Sequence, residues 1–369
     1  MRLTVGDEQR ALRDSVRRFL ADRAPLARVR ELMDTPDGID LAVWHQAGDQ
    51  LGLQGIAIPE DYGGAGFTFA EQAIVLEELG AALYGGPYLA SAVLAATALL
   101  ASDDEAARRE LLPGIASGQT VATLAFTEDD GSWAPEAIRL AASGDGDTGV
   151  LDGHKSFVLD GHTADLILVV ARAGPGLSLF AVRAGANGLT RRGLPTLDQT
   201  RKLARLEFDS VPARRIAGDG AAVLARTLDV AAVAQAAEQL GGAQRALDMA
   251  VAYAKTREQF GRPIGSFQAV KHRCADLLLE VESLRSAVSY AAAAVAEDSA
   301  EIPVVSALVA ACASDVYFHV AAENIQIHGG IGFTWEHDAH LYLKRAKASE
   351  LFLGDAGYHR EHLADRIGV

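Results

Sequence analysis

The sequence has little sulfur and few aromatic residues: two cysteines, three methionines and 6% Phe, Trp and Tyr among 369 residues. Cys274 and Cys312 form no spaced metal motif and no disulfide framework, so the composition suits a reducing cytoplasm. Basic charge is also scarce. Lys and Arg number 34 against 49 Asp and Glu, giving a net charge of −15 and a pI near 5.1. That balance excludes a general nucleic-acid binder, because phosphate neutralisation needs a basic surface. A local basic patch for a phosphorylated cofactor stays open. No apolar run reaches the ~20 residues that cross a bilayer, and the longest, 89–101, reads as a buried helix. Charges begin at Arg2 and recur at Asp7, Glu8 and Arg10, unlike a secretory leader. No GxSxG, Walker loop or HExxH pattern occurs. The expectation is a soluble cytoplasmic protein that binds neither nucleic acid nor membrane.

What is present divides into three textures. Residues 1–117 read as helical, with Leu12, Val16, Phe19 and Leu20 on one stripe and further helices at 44–53, 69–83 and 89–100. Pro59-Glu60-Asp61-Tyr62-Gly63-Gly64-Ala65-Gly66 interrupts them as a turn. Residues 118–217 carry short β-type runs at 121–126, 166–171, 178–182 and 203–208. No helical pattern separates these runs, which predicts an antiparallel barrel or sandwich. From 218 to 369 the chain is helical again. Val270, Cys274, Leu277, Val281, Leu284, Val288, Ala291 and Val295 form a heptad-like seam. Val230 to Val251 marks a second long helix, and Val305 to Ile327 a third, entered through Pro303. With one short terminal helix these make a four-helix bundle. The fold class is α+β multidomain, in the order α, β, α.

Several motifs bear on chemistry. Gly144-Asp145-Gly146-Asp147-Thr148-Gly149 spells GxGxxG, but no helix follows and its aspartates would repel a pyrophosphate, so it reads as a turn between strands. The pairs His337/His340 and His359/His362 have i,i+3 spacing without further ligands to complete a metal site. No metal is expected. Thr127, Gly131 and Ser132 close a strand with hydroxyls and a flexible turn, which suits either an ordinary strand end or donors to a flavin edge or pyrophosphate. Arg257 and Phe260, beside Gly261, offer a guanidinium and a ring face for a pyrophosphate and a flat group. A surface arginine with Phe260 in the core explains the same spacing.

Three stretches together resemble an acyl-CoA dehydrogenase. They are Tyr253 to Gly265 with its Arg257-Glu258-Gln259-Phe260-Gly261-Arg262 core, Gln326-Ile327-His328-Gly329-Gly330-Ile331-Gly332-Phe333, and Ser349-Glu350-Leu351-Phe352-Leu353-Gly354-Asp355. Ile58 to Gly66 is similar to the family's N-terminal signature, and Asp152-Gly153-His154-Lys155-Ser156-Phe157-Val158-Leu159-Asp160-Gly161 to its Asn-Gly-x-Lys-x-Trp-Ile-Thr-Asn-Gly strand. The resemblance spans nearly the whole chain. It implies FAD, an acyl-CoA substrate, an electron-transfer flavoprotein as acceptor, and a tetramer built on the C-terminal bundles. In the family reaction a glutamate takes the α-proton of the thioester as the β-hydrogen leaves as hydride to the flavin.

That glutamate is missing. Leu353 stands at its position, and the alternative family location on the preceding helix corresponds to Ala231. The residues that the family donates to a neighbour's flavin are intact at Arg257, Phe260, Gln326 and Gly330. Those around a subunit's own flavin decay. Leu159 replaces a threonine and Phe157 a tryptophan, while the Thr-Glu-Pro-x-x-Gly-Ser-Asp motif keeps Thr127, Glu128, Gly131 and Ser132 but loses its proline and one residue. The pattern implies the non-catalytic partner of a homologous base-bearing subunit, as in some bacterial heterotetrameric members. Lacking a general base, the isolated chain would lose ~10²–10⁴ in rate. A self-sufficient enzyme using Glu350 or Asp355, a flavin oxidase or monooxygenase on the same fold, and a structural subunit without flavin remain the alternatives.

Overall fold

The computed structural model describes residues 6–144 and 146–369; Arg2 and Asp145 lie outside the described residues. The N-terminal helices are α1 (Asp7–Arg23), α2 (Leu26–Met33), α3 (Leu41–Leu51) and α4 (Phe69–Ala81). A π-helical segment, Leu89–Ala95, runs into α5 (Ala96–Leu100), and α6 (Glu105–Ala116) follows. The strands are β1 (Ala122–Ala125), β2 (Ala141–Ser143), β3 (Thr148–Leu159), β4 (Leu166–Ala173), β5 (Gly176–Arg183), β6 (Leu189–Leu194) and β7 (Leu203–Ile216). Then come α7 (Gly220–Thr256), the small hairpin β8 (Glu258–Gln259) and β9 (Arg262–Pro263), α8 (Gln268–Ala296), α9 (Ile302–His328), α10 (Ala339–Leu351) and α11 (Ala356–Ile367). The chain divides into two compact units. A helical unit holds the N-terminal segment through Val29, Phe69–Tyr84 and Ala232–Val369, and a sheet unit holds Arg30–Thr68 and Gly85–Ala231.

In the sheet unit, the path β4–β2–β3–β7–β5 returns to β4 and closes a barrel, with β1 added beside β4 and β6 beside β7. Closure removes most of the exposed strand edges. The expected runs appear as β1, β4, β5 and β7. The ladders are antiparallel with one correction: β1 and β2 run parallel to β4. The long connection from β1 to β4, which carries the β2–β3 hairpin, is what permits a parallel pairing. Ser143 pairs with Val150 across that hairpin, so the described residues of the GxGxxG stretch link two strands or begin the second, as expected. β2, β3 and β6 left no apolar run to find. β4 is buried along Leu166–Ala171 and reads as continuously apolar, whereas β3 carries Asp152, His154, Lys155 and Ser156 and β6 carries Arg191 and Arg192.

In the helical unit, α7, α8 and α9 are the three long helices that the spacing predicts. Two short helices follow them rather than one, because left-handed backbone at Leu353 (φ 65°) and Gly354 (φ 103°) breaks the chain and Asp355 starts α11 afresh. The α8 seam is buried at Leu277, Val281, Leu284, Val288 and Ala291 but only half-buried at Val270 and Cys274. Leu279, off the seam, is 69% exposed. Two helical stretches, Gly220–Thr256 and Ile302–Phe333, contain 18-residue windows apolar enough to cross a bilayer, with 72% and 61% of those windows buried. Most of each window is buried, which accounts for their apolarity as helices of the packed interior.

α4 and α7 touch backbone to backbone. A Cβ on Gly241 would lie 1.8 Å from the Glu77 carbonyl oxygen, and one on Gly80 would lie 1.9 Å from that of Glu238. This approach buries the carboxylates that flank the contact, and each has found cations. Glu77 pairs with Arg13 (2.7 Å) and Arg285 (2.6 Å), Glu78 with Arg17 (2.8 Å) and Arg13 (3.1 Å), and Glu238 with the buried Arg345 of α10 (2.6 Å). Buried charges persist only when paired in this way. Gly241→Ala should therefore lower stability by ~3 kcal/mol or more, since backbone rather than a flexible side chain must move. Thermal unfolding checks this, and an unchanged melting temperature would contradict the contact.

Candidate functional site

The helical unit presents the first group of sequence-derived positions outward. Arg257 follows the end of α7, its N–H donating to Tyr253 O (2.8 Å) and its carbonyl accepting from Ile264 N (2.8 Å). Those bonds open the β8–β9 hairpin. Phe260 (φ 53°) and Gly261 (φ 74°) form its two-residue turn, both left-handed as a tight hairpin of native twist requires. Phe260 is 91% exposed, which rules out its placement in the core; its ring meets the edge of Phe267 at 6.1 Å. On α9, Gln326 is exposed, and the helix stops at Gly329 (φ 64°). A side chain on Gly330 would meet nothing within 4 Å, so a flat or anionic group has open access to this backbone. The Tyr253 and His328 rings stack at 4.3 Å, which sets the hairpin and the glycine turn at one end of the unit. Burial above all, with His337 nearby, holds the His328 imidazole below its ordinary pKa.

The sheet unit holds the second group, and here the polar atoms face inward. Thr127 is buried; its hydroxyl donates to Ser156 O (2.6 Å) and its carbonyl accepts from Ser156 N (3.0 Å). Leu159, in place of a hydroxyl, is buried too. Phe157 sits in a β3 irregularity at φ 58°, with its ring beside the half-exposed Gly131; Ser132 is half-exposed too. Asp129, where the family motif has proline, accepts from Ser156 Oγ and Arg205 Nη1 and pairs with His154 Nε2 (3.0 Å). The Ser156 hydroxyl above all, and then Arg205, holds the Asp129 carboxyl below its usual range.

Sequence reasoning passed over the pair beneath this loop. Glu128 Oε1 accepts from Arg139 N (2.9 Å), Leu140 N (2.8 Å) and Lys155 Nζ (2.9 Å), and Lys155 also donates to Phe126 O (3.0 Å). Both residues lay in quoted motifs, but nothing in one sequence says that positions 27 apart meet. Burial pushes the Glu128 carboxyl up, yet the Leu140 amide, Lys155 and the Arg139 amide outweigh it and hold it low. Burial pushes the Lys155 amine down from 10.5 to about 8, against the pull of Glu128.

No idle carboxylate stands at the base position. Leu353 is buried, and the His359 ring donates to its carbonyl; burial, with His362 and Arg366 adding to it, lowers the His359 imidazole to about 4. Asp355 Oδ1 caps α11 by accepting from Tyr358 N (2.8 Å), and Glu350 pairs with Lys347 (2.8 Å). Ala231 is a fully buried methyl group. Among the described residues no cluster of three His, Cys, Asp or Glu is placed to hold a metal. A groove of about 550 Å³ in the helical unit, lined by Leu20, Glu78, Ala81, Arg245 and Tyr342 among others, includes none of these positions.

The Lys155 burial has a pH consequence. The unfolded chain keeps this proton up to about 10.5 and the folded chain only to about 8, so the unfolded state binds more protons between these values. Stability contributed by this group therefore rises as pH climbs through that window. Lys155→Met should flatten that rise in pH-dependent denaturation, and an unaltered slope would contradict the burial.

Models of the acyl-CoA dehydrogenase N-terminal, middle and C-terminal domains match residues 6–119, 123–211 and 218–368. Acyl-CoA dehydrogenase IpdE2 of Mycolicibacterium smegmatis is 38% identical over 351 residues, 95% of this chain and 96% of that protein. A chain of the ChsE4–ChsE5 complex from Mycobacterium tuberculosis matches with a TM-score of 0.91 at 32% identity, covering 100% of this chain and 99% of that one. A chain of a variant Tcur3481–Tcur3483 steroid ACAD matches at 0.89 with 34% identity, covering 99% of each. With the helical N-terminal region, the β barrel and the C-terminal helices in this order, the chain belongs to the acyl-CoA dehydrogenase family of oxidoreductases, which act on CH–CH groups.

Proposed function

We propose that this chain is the base-lacking subunit of a heteromeric acyl-CoA dehydrogenase, and that it completes an FAD site whose remaining half and whose base belong to a homologous partner. The observation that carries this reading is the contrast between the two groups of flavin positions. The outward group fits the cofactor: Arg257 would hold pyrophosphate oxygens with its guanidinium, Phe260 would cover a flat ring, and Gln326 and the Gly330 backbone would supply polar contacts without a side chain in the way. The inward group does not fit it. Thr127 has its one hydroxyl proton on Ser156 O, and Leu159 offers none. When bound, FAD supplies the acceptor for the β-hydrogen of the thioester. Removal of the α-proton falls to the partner, because Leu353 and Ala231 are apolar while Glu350 and Asp355 are engaged by Lys347 and by the start of α11.

The two-component naming of both solved relatives supports a hetero-assembly, and the steroid dehydrogenase among them supports an acyl-CoA with a steroid-type side chain. Electrons would pass on to an electron-transfer flavoprotein. The two unpaired cysteines support a reducing, cytoplasmic setting.

The purified chain should be colourless and should not oxidise acyl-CoA with an artificial acceptor. Mixed with a base-bearing homologue it should gain yellow flavin absorbance and activity together. A yellow chain that is active alone would overturn the reading, and Glu350→Gln and Asp355→Asn would then locate its base. Within the assembled complex, Arg257→Ala should weaken flavin retention by roughly ten- to a hundredfold, as expected for a hydrogen bond to a charged group. Unchanged retention measured by flavin release would remove Arg257 from the site.

A further inference from the structure

Ser156 is the hub of a clamp that the family motif does not contain. Its backbone makes the two-bond ladder with Thr127, through Ser156 N to Thr127 O (3.0 Å) and Thr127 Oγ1 to Ser156 O (2.6 Å). Its hydroxyl donates to Asp129 and accepts from Arg205 Nη1 (3.1 Å). Arg205, on β7, also donates to Asp129, and His154 closes the ring of contacts from β3. Beneath them Glu128, held by Lys155 and by the amides of Arg139 and Leu140, fixes the root of the same loop. Segment 127–129 is thus fastened to two strands. In that position the Thr127 proton points at the Ser156 carbonyl, and the segment has no hydroxyl proton left for an acceptor outside it.

We propose that Asp129 is a specificity-determining positioning residue: with Ser156 and Arg205 it clamps segment 127–129 onto β3 and β7 and so keeps FAD out of this chain's own half-site. The proposal rests on the half-site reading above and deepens it. A proline at this position, as in the family motif, has no carboxylate to receive Ser156 Oγ or Arg205. Without Asp129, Arg205 keeps Glu207 (3.1 Å) as a partner, and segment 127–129 loses its outer fastening while Glu128 keeps the loop folded. Loss of the Asp129 carboxylate and return of a hydroxyl at Leu159 reverse two of the departures from the family motif, with Phe157 and the shorter loop left as they are. The clamp is local, on an exposed carboxylate, so its removal leaves the barrel core untouched.

The test is an FAD titration of the full isolated chain, read by quenching of flavin fluorescence and by bound-flavin absorbance after gel filtration. Four proteins are compared: wild type, Leu159→Thr, Asp129→Ala/Leu159→Thr and Asp129→Asn/Leu159→Thr. The expected result is no saturable binding by wild type and at least roughly tenfold tighter binding by the Asp129→Ala double variant than by Leu159→Thr, the factor a charge-assisted hydrogen bond carries. The Asp129→Asn double variant keeps an acceptor for Ser156 and Arg205, so it should gain less. Equal affinity in all three variants, with wild type colourless, would overturn the clamp and leave the half-site reading standing. Wild type that takes up one FAD per chain would overturn both. Thermal melts confirm that each variant is folded, and should the alanine variant melt early, Ser156→Ala/Leu159→Thr, which removes the hydroxyl that Asp129 receives, carries the comparison with the same expected gain.

Discussion

The contact on which the helical unit depends is the backbone approach of α4 to α7 at Gly80 and Gly241. It brings Glu77, Glu78 and Glu238 under cover, and their burial requires the arginines that arrive from α1, α8 and α10. Arg345, drawn to Glu238, fixes α10 against α7, and Gln235 adds a bond to Ser349 O one turn further along. The turn that bears Leu353 begins just beyond. A close glycine contact thereby sets, through ion pairs, the place of the turn that the resemblance aligns with the family's base. The machinery for holding that turn is intact: a capped α11, a left-handed residue and a histidine on its carbonyl. Leu353 itself offers this turn no carboxylate.

The two groups of flavin positions differ in the direction of their hydrogen bonds and in their exposure. Around Arg257 and Gly330 the chain closes its own backbone bonds and leaves side chains and peptide groups facing outward. Around Thr127 the hydroxyl donates into β3, while Ser156 of β3 and Arg205 of β7 donate back to Asp129. A group that satisfies itself has little to offer a ligand, because a new contact must first break an existing one. On the proposed reading, this self-satisfaction, more than the lost glutamate alone, is what would separate a subunit that lends a half-site from one that has merely lost activity.

Much of this was legible in the sequence, and the exceptions have physical causes. The long helices announced themselves because α7, α8 and α9 repeat apolar residues at helical spacing, and β4 because both its faces are buried. β6 was hidden by polar residues on a solvated face and β3 by buried polar residues such as Lys155 and Ser156 as well as exposed ones, and the break between α10 and α11 by a turn whose left-handed residue is a leucine. The outward residues Arg257, Phe260, Gln326 and Gly330 were legible as motif positions, while spacing alone left Phe260 as suited to the core as to the hairpin tip where it stands. What one sequence does not reveal is engagement. Asp355 looked like a spare acid and is a helix cap, Thr127 looked like a donor and has already donated, and the Glu128–Lys155 pair is formed by a barrel register that no local pattern encodes.

The most direct measurement is the ratio of FAD to polypeptide in the purified complex of this chain with its base-bearing homologue. One FAD for every two chains is the result expected if this subunit lends its outward half and keeps its own half closed. One FAD for every chain would contradict that assignment, because the inward half around Thr127 and Leu159 would then hold flavin as well.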